Sequence, residues 1–528
     1  MSFDSTALPD DVEALHRLIT AEREELAAAR AGLMAKALEI EKLKLQIARL
    51  RRQQYGRSSE KMARELEQFE LRLEELEAEE AAGPAAPTPG DEAQTPIPAK
   101  SGKSGRRPLP AHLPRHEIVH EPGCACPTCG GVLRKVGEDV TEILDYLPGR
   151  FQVIRHVRPA FSCRQCESMA QAPMPSLPIE RGRPGAGLLA HVLVGKYCDH
   201  LPLYRQSGIY ARDGVDLDRA TLADWVGKAA WLLSPLVEAV AGHVMVAEKL
   251  HADDTPVPVL APGTGKTKTG RLWVYLRDER PYGGPAPPAV VYRYSPDRKG
   301  EHPRAHLASF RGFLQADGYA GFAPLYESQG GQAAAMTEVA CWAHVRRKIY
   351  DVHLATKSPI AAEALERIGR LFEVEREVNG LAPEARRKIR QARARPVIDD
   401  LAAFLEGSLP KLSGKGELAG AMRYARGRWE ALARYLDDGR LEISNNAAER
   451  AIRPLALGRK NYMFAGSDAG GERAAAIYTL VETAKLNRLD PEAYLRDILG
   501  RIADHPINKI AELLPWNIAK DSAGRVAA

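Results

Sequence analysis

The chain has 528 residues, 45% of them apolar, and a formal net charge of +5 from 74 Lys and Arg against 69 Asp and Glu. That length fits roughly three or four domains with ample core. The charge is too nearly balanced for the whole surface to be a polyanion ligand, so any affinity for nucleic acid must come from local clusters. Residues 1–14 are acidic without an apolar run, and the greasiest stretch, Trp231 to Ala247, is broken by Glu238 and His243. Neither reads as a targeting or membrane segment, which points to a cytoplasmic protein with no membrane partner.

Along residues 1–80, Ile19, Leu26, Leu33, Ile40 and Ile47 recur every seven residues, with Leu15, Ala29, Leu43 and Leu50 on the partner positions. This is a coiled-coil seam and predicts a homo-oligomer joined through it. A second run, Met62, Leu66, Phe69, Leu73 and Leu76, is out of phase with the first, so the helix breaks or reverses around Tyr55 to Ser59. Residues 81–115 are rich in Pro, Ala, Gly and Thr and read as a flexible linker. Its basic end, Lys100, Lys103, Arg106, Arg107 and Arg115, suits a segment that tracks phosphate, and equally a solvated linker.

Residues 116–178 contain Cys126-Pro127-Thr128-Cys129 and Cys163-Arg164-Gln165-Cys166. Each knuckle lets two thiolates reach one ion, so Cys126, Cys129, Cys163 and Cys166 together form a closed tetrahedral Zn²⁺ site. Val140 to Tyr146 and Phe151 to Val157 are the predicted strands of this zinc ribbon. Four of the seven cysteines lie in these pairs, a pattern of reduced thiols on metal rather than of disulfides; Cys198 and Cys341 read as core thiols.

Residues 179–245 read as helical. From residue 246 strands follow one another: His251 to Leu260, Leu272 to Leu276, Ala289 to Tyr294, Gly312 to Ala316 and Glu338 to Trp342, a pattern similar to a ribonuclease-H-like mixed sheet. Gly263-Thr264-Gly265-Lys266-Thr267 is no phosphate loop, because Leu260 stands where glycine is required and no helix follows. It reads as a hairpin turn that offers Lys266, Lys268 and Arg271 to a phosphate backbone. A helical insertion covers about residues 345–440. Its cations Arg386, Arg387, Lys388, Arg390, Arg393 and Arg395 form either a DNA grip or a solvated helix face.

Three acidic motifs end different predicted elements: Ala252-Asp253-Asp254, Ala316-Asp317-Gly318-Tyr319 and Asn446-Ala447-Ala448-Glu449. Two carboxylates on neighbouring strands and one on a helix can hold two hard divalent cations, Mg²⁺ or Mn²⁺, for phosphodiester chemistry. Each also has a structural reading: Asn446 to Glu449 has capping-box spacing, Asp317 precedes a glycine turn, and Asp253 and Asp254 end a polar strand. Arg450, Arg453, Arg459 and Lys460 surround the third carboxylate as candidate DNA contacts, and Trp342, His344 and Arg346 are candidate site-lining residues.

With these motifs in place, the chain resembles the insertion sequence sixty-six family of bacterial DDE transposases over nearly its full length. The resemblance rests on Tyr55 to Lys61, the two cysteine knuckles, Lys196 to Arg205, Leu250-His251-Ala252-Asp253, Ala316 to Tyr319, Cys341 to Lys348 and Ser444 to Arg450. It implies an N-terminal coiled coil, a zinc-ribbon DNA-binding domain and a ribonuclease-H-like catalytic domain over 246–485. It also implies a small helical C-terminal domain over 486–528. Asp253, Asp317 and Glu449 would be the catalytic triad, double-stranded DNA of element ends and target the substrate, and the nucleoid the place of action, with accessory proteins of the same element as further partners. Asp254 stands where the family usually has Glu, which leaves two adjacent aspartates. Asp253 aligns with the family's Asp and, on a continuing strand, points opposite to Asp254. Two other classes remain: a non-enzymatic zinc-ribbon regulator, and a ribonuclease-H-like nuclease that cuts but joins nothing.

Overall fold

The computed structural model describes residues 184–519 apart from 262, 329–333 and 463, with short pieces between 149 and 179. The expected coiled coil, the linker with Arg106 and Arg107, and the thiols of Cys126, Cys129, Cys163 and Cys166 lie outside the described residues. Strands β1 (Ala160–Ser162) and β2 (Met169–Gln171) pair antiparallel and flank the second knuckle in sequence. The strand expected over Phe151 to Val157 is corrected: Phe151, Val153 and Ile154 are not in a strand. Phe151 instead packs edge-on against Tyr210, ring centroids 5.4 Å apart. A tertiary aromatic contact overrides the local β preference.

Four helices follow: α1 (Ala186–Tyr197), α2 (Leu203–Arg212), α3 (Arg219–Leu232) and α4 (Ser234–Met245). Asp218 starts α3 by accepting the backbone N–H groups of Ala220 and Thr221, which have no partner inside the helix. The sheet then forms from β3 (Lys249–Ala261), β4 (Lys266–Arg277), β5 (Ala289–Ser295), β6 (Gly312–Ala316) and β7 (Met336–Val339), with the short helix α5 (Glu301–His306) before β6. Its order is β5-β4-β3-β6-β7. The pairs β3–β4 and β4–β5 are antiparallel, and β3–β6 and β6–β7 parallel. The β3–β4 connection is the expected hairpin; Gly263 and Gly265 take φ of +79° and +63°, which side chains disfavour. In β4, Leu272, Trp273, Val274, Tyr275 and Leu276 are all buried, so both faces of the sheet are covered.

The strand expected to run to Trp342 ends at Val339, and Trp342 begins α6 (Trp342–Thr356). Its indole N–H donates to the Leu432 carbonyl at 2.9 Å, so Trp342 is a core residue of the helical insertion rather than part of a site lining. The insertion continues through α7 (Pro359–Val378), α8 (Pro383–Ile389), α9 (Arg395–Ser408), α10 (Glu417–Gly427) and α11 (Trp429–Ala433) and has its own apolar core. Both sequence readings of the arginine run fail for Arg386 and Arg390, which are buried. Arg390 is fully enclosed, donating to both oxygens of Glu375 at 2.7 and 2.6 Å and to the carbonyls of Tyr435 and Leu441. Arg387, Arg393 and Arg395 pair with Glu384, Glu377 and Asp437.

The chain ends through α12 (Asn446–Asn461), α13 (Asp468–Leu486) and α14 (Pro491–Arg501). Helix α13 solves the problem of the open sheet edge. Thr479 and Thr483, one turn apart, accept the backbone N–H groups of Tyr292 and Val290, and Asn487 donates to the Pro288 carbonyl. Thus β5 presents no unpaired edge there. Buried residues of α1, α3, α4, the sheet, α12, α13 and α14 form one continuous core. No described helix is long and apolar enough to cross a membrane.

Candidate active site

The register of the parallel strands brings the first two acids together. Ala252 lies opposite Ala316, so Asp253 and Asp317 are the next residues along adjacent strands. Asp317 is the first residue past β6, and its Oδ1 accepts the Tyr319 N–H at 3.1 Å, which shapes the turn. A Cβ at Gly318 would come within 2.7 Å of the Tyr424 hydroxyl, so a larger residue there would have to push the Tyr424 side chain aside.

Strand β3 runs unbroken through Asp253 and Asp254, opposite Val274 and Trp273, so the two side chains leave on opposite faces. Asp254 is committed to arginines: Arg271 stands 3.0 Å from Oδ2 and Arg298 2.8 Å from Oδ1, and the side chain is wholly covered. Arg298 also lies over the Tyr319 ring at 4.1 Å. Burial nevertheless outweighs the arginines and raises the Asp254 pKa. Asp253 has different neighbours. Its burial, with Asp317 and then Glu449 beside it, pushes its carboxyl well above the usual range.

Glu449 reaches this face from the first turn of α12, whose N-cap is Asn445 and has no side-chain cap bond. The capping box beginning at Asn446 is therefore not formed. Glu449 Oε1 is buried without a hydrogen-bond partner. His344 Nε2 stands 3.6 Å from it, and Arg347 Nη2 is 3.8 Å from Oε2. Burial raises the Glu449 pKa against the pull of Arg347, and Asp317 adds to the rise. A polar clamp ties β3 to α12. Asn445 Nδ2 donates to the Ala252 carbonyl at 2.9 Å, and its Oδ1 lies 3.0 Å from His251 Nδ1. His251 Nε2 and Lys249 Nζ both bond Glu442 Oε1, at 3.0 and 2.6 Å. The Lys249 ammonium, with the His251 ring beside it, holds the Glu442 carboxyl well below its usual range despite its burial.

Three mutually repelling carboxyls, one with an orphaned buried oxygen, form a donor set that suits hard divalent cations. Among the other expected contacts, Arg450, Lys460 and Lys266 are exposed, while Arg453 and Arg346 are half-buried. Arg346 lies over the Tyr350 ring. Arg459 donates to the Pro256 carbonyl and so braces α12 on β3, and Lys268 pairs with Asp468 at 2.7 Å. Sequence reasoning missed Arg347, Arg298 and the His251–Asn445–Glu442 clamp. For Arg347 the helical spacing from His344 carries a signal; for the clamp, only the fold does.

Fold and site together define a mixed α/β protein that gathers carboxylates at the centre of its sheet. The chain belongs to the IS66 transposase family: residues 181–473 match the model described as Transposase IS66 family. Residues 42–118 match the model for Transposase C of IS166 homeodomain, 124–167 the zinc-finger binding domain of transposase IS66, and 479–516 the IS66 C-terminal element. Two similar proteins are the uncharacterized proteins y4hP and y4qI of Sinorhizobium fredii (strain NBRC 101917 / NGR234). The first is 42% identical over 498 residues, 92% of this chain and 90% of the relative. The second is 40% identical over 540 residues, 98% of this chain and 99% of the relative.

Proposed function

We propose that this chain is the transposase of a bacterial insertion sequence, cutting the 3′ ends of its element and joining them to target DNA. The observation that carries the reading is the register of β3 and β6, which sets Asp253 beside Asp317 on the face that receives Glu449. The strand order, three antiparallel strands followed by two parallel ones, supports a ribonuclease-H-like catalytic domain.

Asp253, Asp317 and Glu449 would hold the divalent cations, Mg²⁺ or Mn²⁺. When bound, such cations lower the pKa of a water and neutralise charge on the transferring phosphate. The chain supplies the positions. Two adjacent strands fix the aspartates, and the Asn445 clamp fixes the start of α12 and hence Glu449. Water attacks the phosphodiester at the element end, and the released 3′-hydroxyl then attacks a target phosphodiester, displacing a 3′-hydroxyl there. No side chain acts as nucleophile. Arg450 and Lys460 would meet backbone phosphates, a reading their exposure on α12 supports. The zinc-finger match supports Zn²⁺ on Cys126, Cys129, Cys163 and Cys166 as an element of DNA binding. The heptads support a homo-oligomer, and the cytoplasmic nucleoid is the proposed place of action.

The test is incubation of the full chain with labelled element-end DNA, a target plasmid and Mg²⁺. The expected product is label joined covalently to the target. Cutting without joining would make the protein a nuclease, and binding without cutting a regulator.

A further inference from the structure

Beside the carboxylates lies a second donor set, of which the strand-transfer chemistry uses only Glu449. Cys341, His344 and Glu449 each present one ligand atom, and the three atoms lie within 4.8 Å of one another. Cys341 is the N-cap of α6 and His344 lies in its first turn, while Glu449 lies in the first turn of α12, so two helix N-termini converge here. The 3.6 Å between His344 Nε2 and Glu449 Oε1 is too long for a hydrogen bond. It is close to the ligand-to-ligand edge of a tetrahedral ion bound at about 2 Å, roughly 3.3 to 3.5 Å. Glu449 Oε1 has no hydrogen-bond partner, and Cys341 Sγ accepts the Asn445 N–H at 3.1 Å, the kind of backbone bond that orients a metal-bound thiolate. His344 and Glu449 keep 22% and 11% of their side-chain surface, which leaves a path for an ion.

We propose that Cys341, His344 and Glu449 form a site for a thiophilic divalent cation such as Zn²⁺, whose occupation draws Glu449 away from the Mg²⁺ site and reversibly inhibits strand chemistry. A sulfur and a nitrogen donor select zinc, cadmium or cobalt over magnesium, while Asp253 and Asp317 offer only oxygen. One protein thus holds two classes of cation that compete for a single carboxylate. The inhibitory half rests on the function proposed above; the binding half does not.

Cobalt is the probe. Co²⁺ is titrated into the full chain carrying a single equivalent of zinc, enough for the four-cysteine ribbon alone, and the sulfur-to-cobalt charge-transfer band is followed in wild type, Cys341→Ser and His344→Gln, each checked for folding by circular dichroism. The expected result is a band that Cys341→Ser lacks and that His344→Gln forms with at least tenfold weaker affinity. Should Cys341→Ser fail to fold, His344→Gln alone decides, because its thiol remains. Equal titrations in all folded proteins would overturn the site. In parallel, Zn²⁺ is titrated into Mg²⁺-supported cleavage, where Cys341→Ser, or His344→Gln in its place, should need at least tenfold more zinc for half inhibition. Equal inhibition would overturn the regulatory role. Absence of cleavage in wild type would count against the transposase reading while the cobalt band still decided the site.

Discussion

Asp253→Asn is expected to lower metal-dependent strand cleavage about a thousandfold, whereas Asp254→Asn should leave cleavage metal-dependent and lose stability instead. A cation that stabilises a phosphoryl transition state contributes several kcal/mol, and ~4 kcal/mol corresponds to about three decades in rate. Asn keeps the shape of Asp253 but removes the charge that must face the cation. Asp317→Asn and Glu449→Gln should behave alike, since their carboxyls share that face. Asp254 points the other way into Arg271 and Arg298 with its side chain wholly covered. Neutralising it leaves two cations short of a partner, so the cost falls on folding. Cleavage time courses beside thermal melts for all four variants separate the two outcomes. Wild-type cleavage in Asp253→Asn, with folded Asp254→Asn dead, would reverse the assignment of the two strand faces.

The second large effect lies far from the carboxylates. Arg390→Ala should destabilise the helical insertion by about 3–5 kcal/mol, because removing one member of a buried ion pair strands the other. Arg390 is 0% exposed and is the best-satisfied partner of Glu375; Arg386, the other nearby cation, is 3.6 Å away. Trp342 and Trp429, with ring centroids 5.7 Å apart in the same core, report the loss by fluorescence in urea. The double replacement Arg390→Met with Glu375→Leu should recover much of it, since neither charge is then left alone. A single variant as stable as wild type would mean that Glu375 finds an equivalent donor.

Several features were legible because local chemistry decides them. The hairpin at Gly263 and Gly265 follows from positive φ, and the turn after β6 and the first turn of α12 that carry Asp317 and Glu449 follow from apolar runs and turn residues, whereas Asp253 lies within β3 and not at the strand end that the sequence suggests. What stayed hidden depends on partners distant in sequence. The arginine run reads as surface charge until Glu375 on α7 and the Tyr435 carbonyl come to meet Arg390. The apolar run through Trp342 looks like strand, yet the Leu432 carbonyl claims its indole and the helix starts there. Cys341 reads as a core thiol, which its burial supports, while its closeness to Glu449 arises only when α6 and α12 converge. The choice between Asp253 and Asp254 also needed the observed arginines, because alternation says only that the two side chains diverge.

The most direct measurement of the central claim locates the catalytic cation itself. Fe²⁺ replaces Mg²⁺ in the full chain carrying a single equivalent of zinc for its ribbon, peroxide and ascorbate generate radicals at the bound iron, and the sites of backbone scission are sequenced. Cuts around Asp253, Asp317 and Glu449 that excess Mg²⁺ suppresses are the expected result. Cuts confined to Asp297, Glu301 and His302, a further donor group among the described residues, or none that Mg²⁺ suppresses, would contradict the claim.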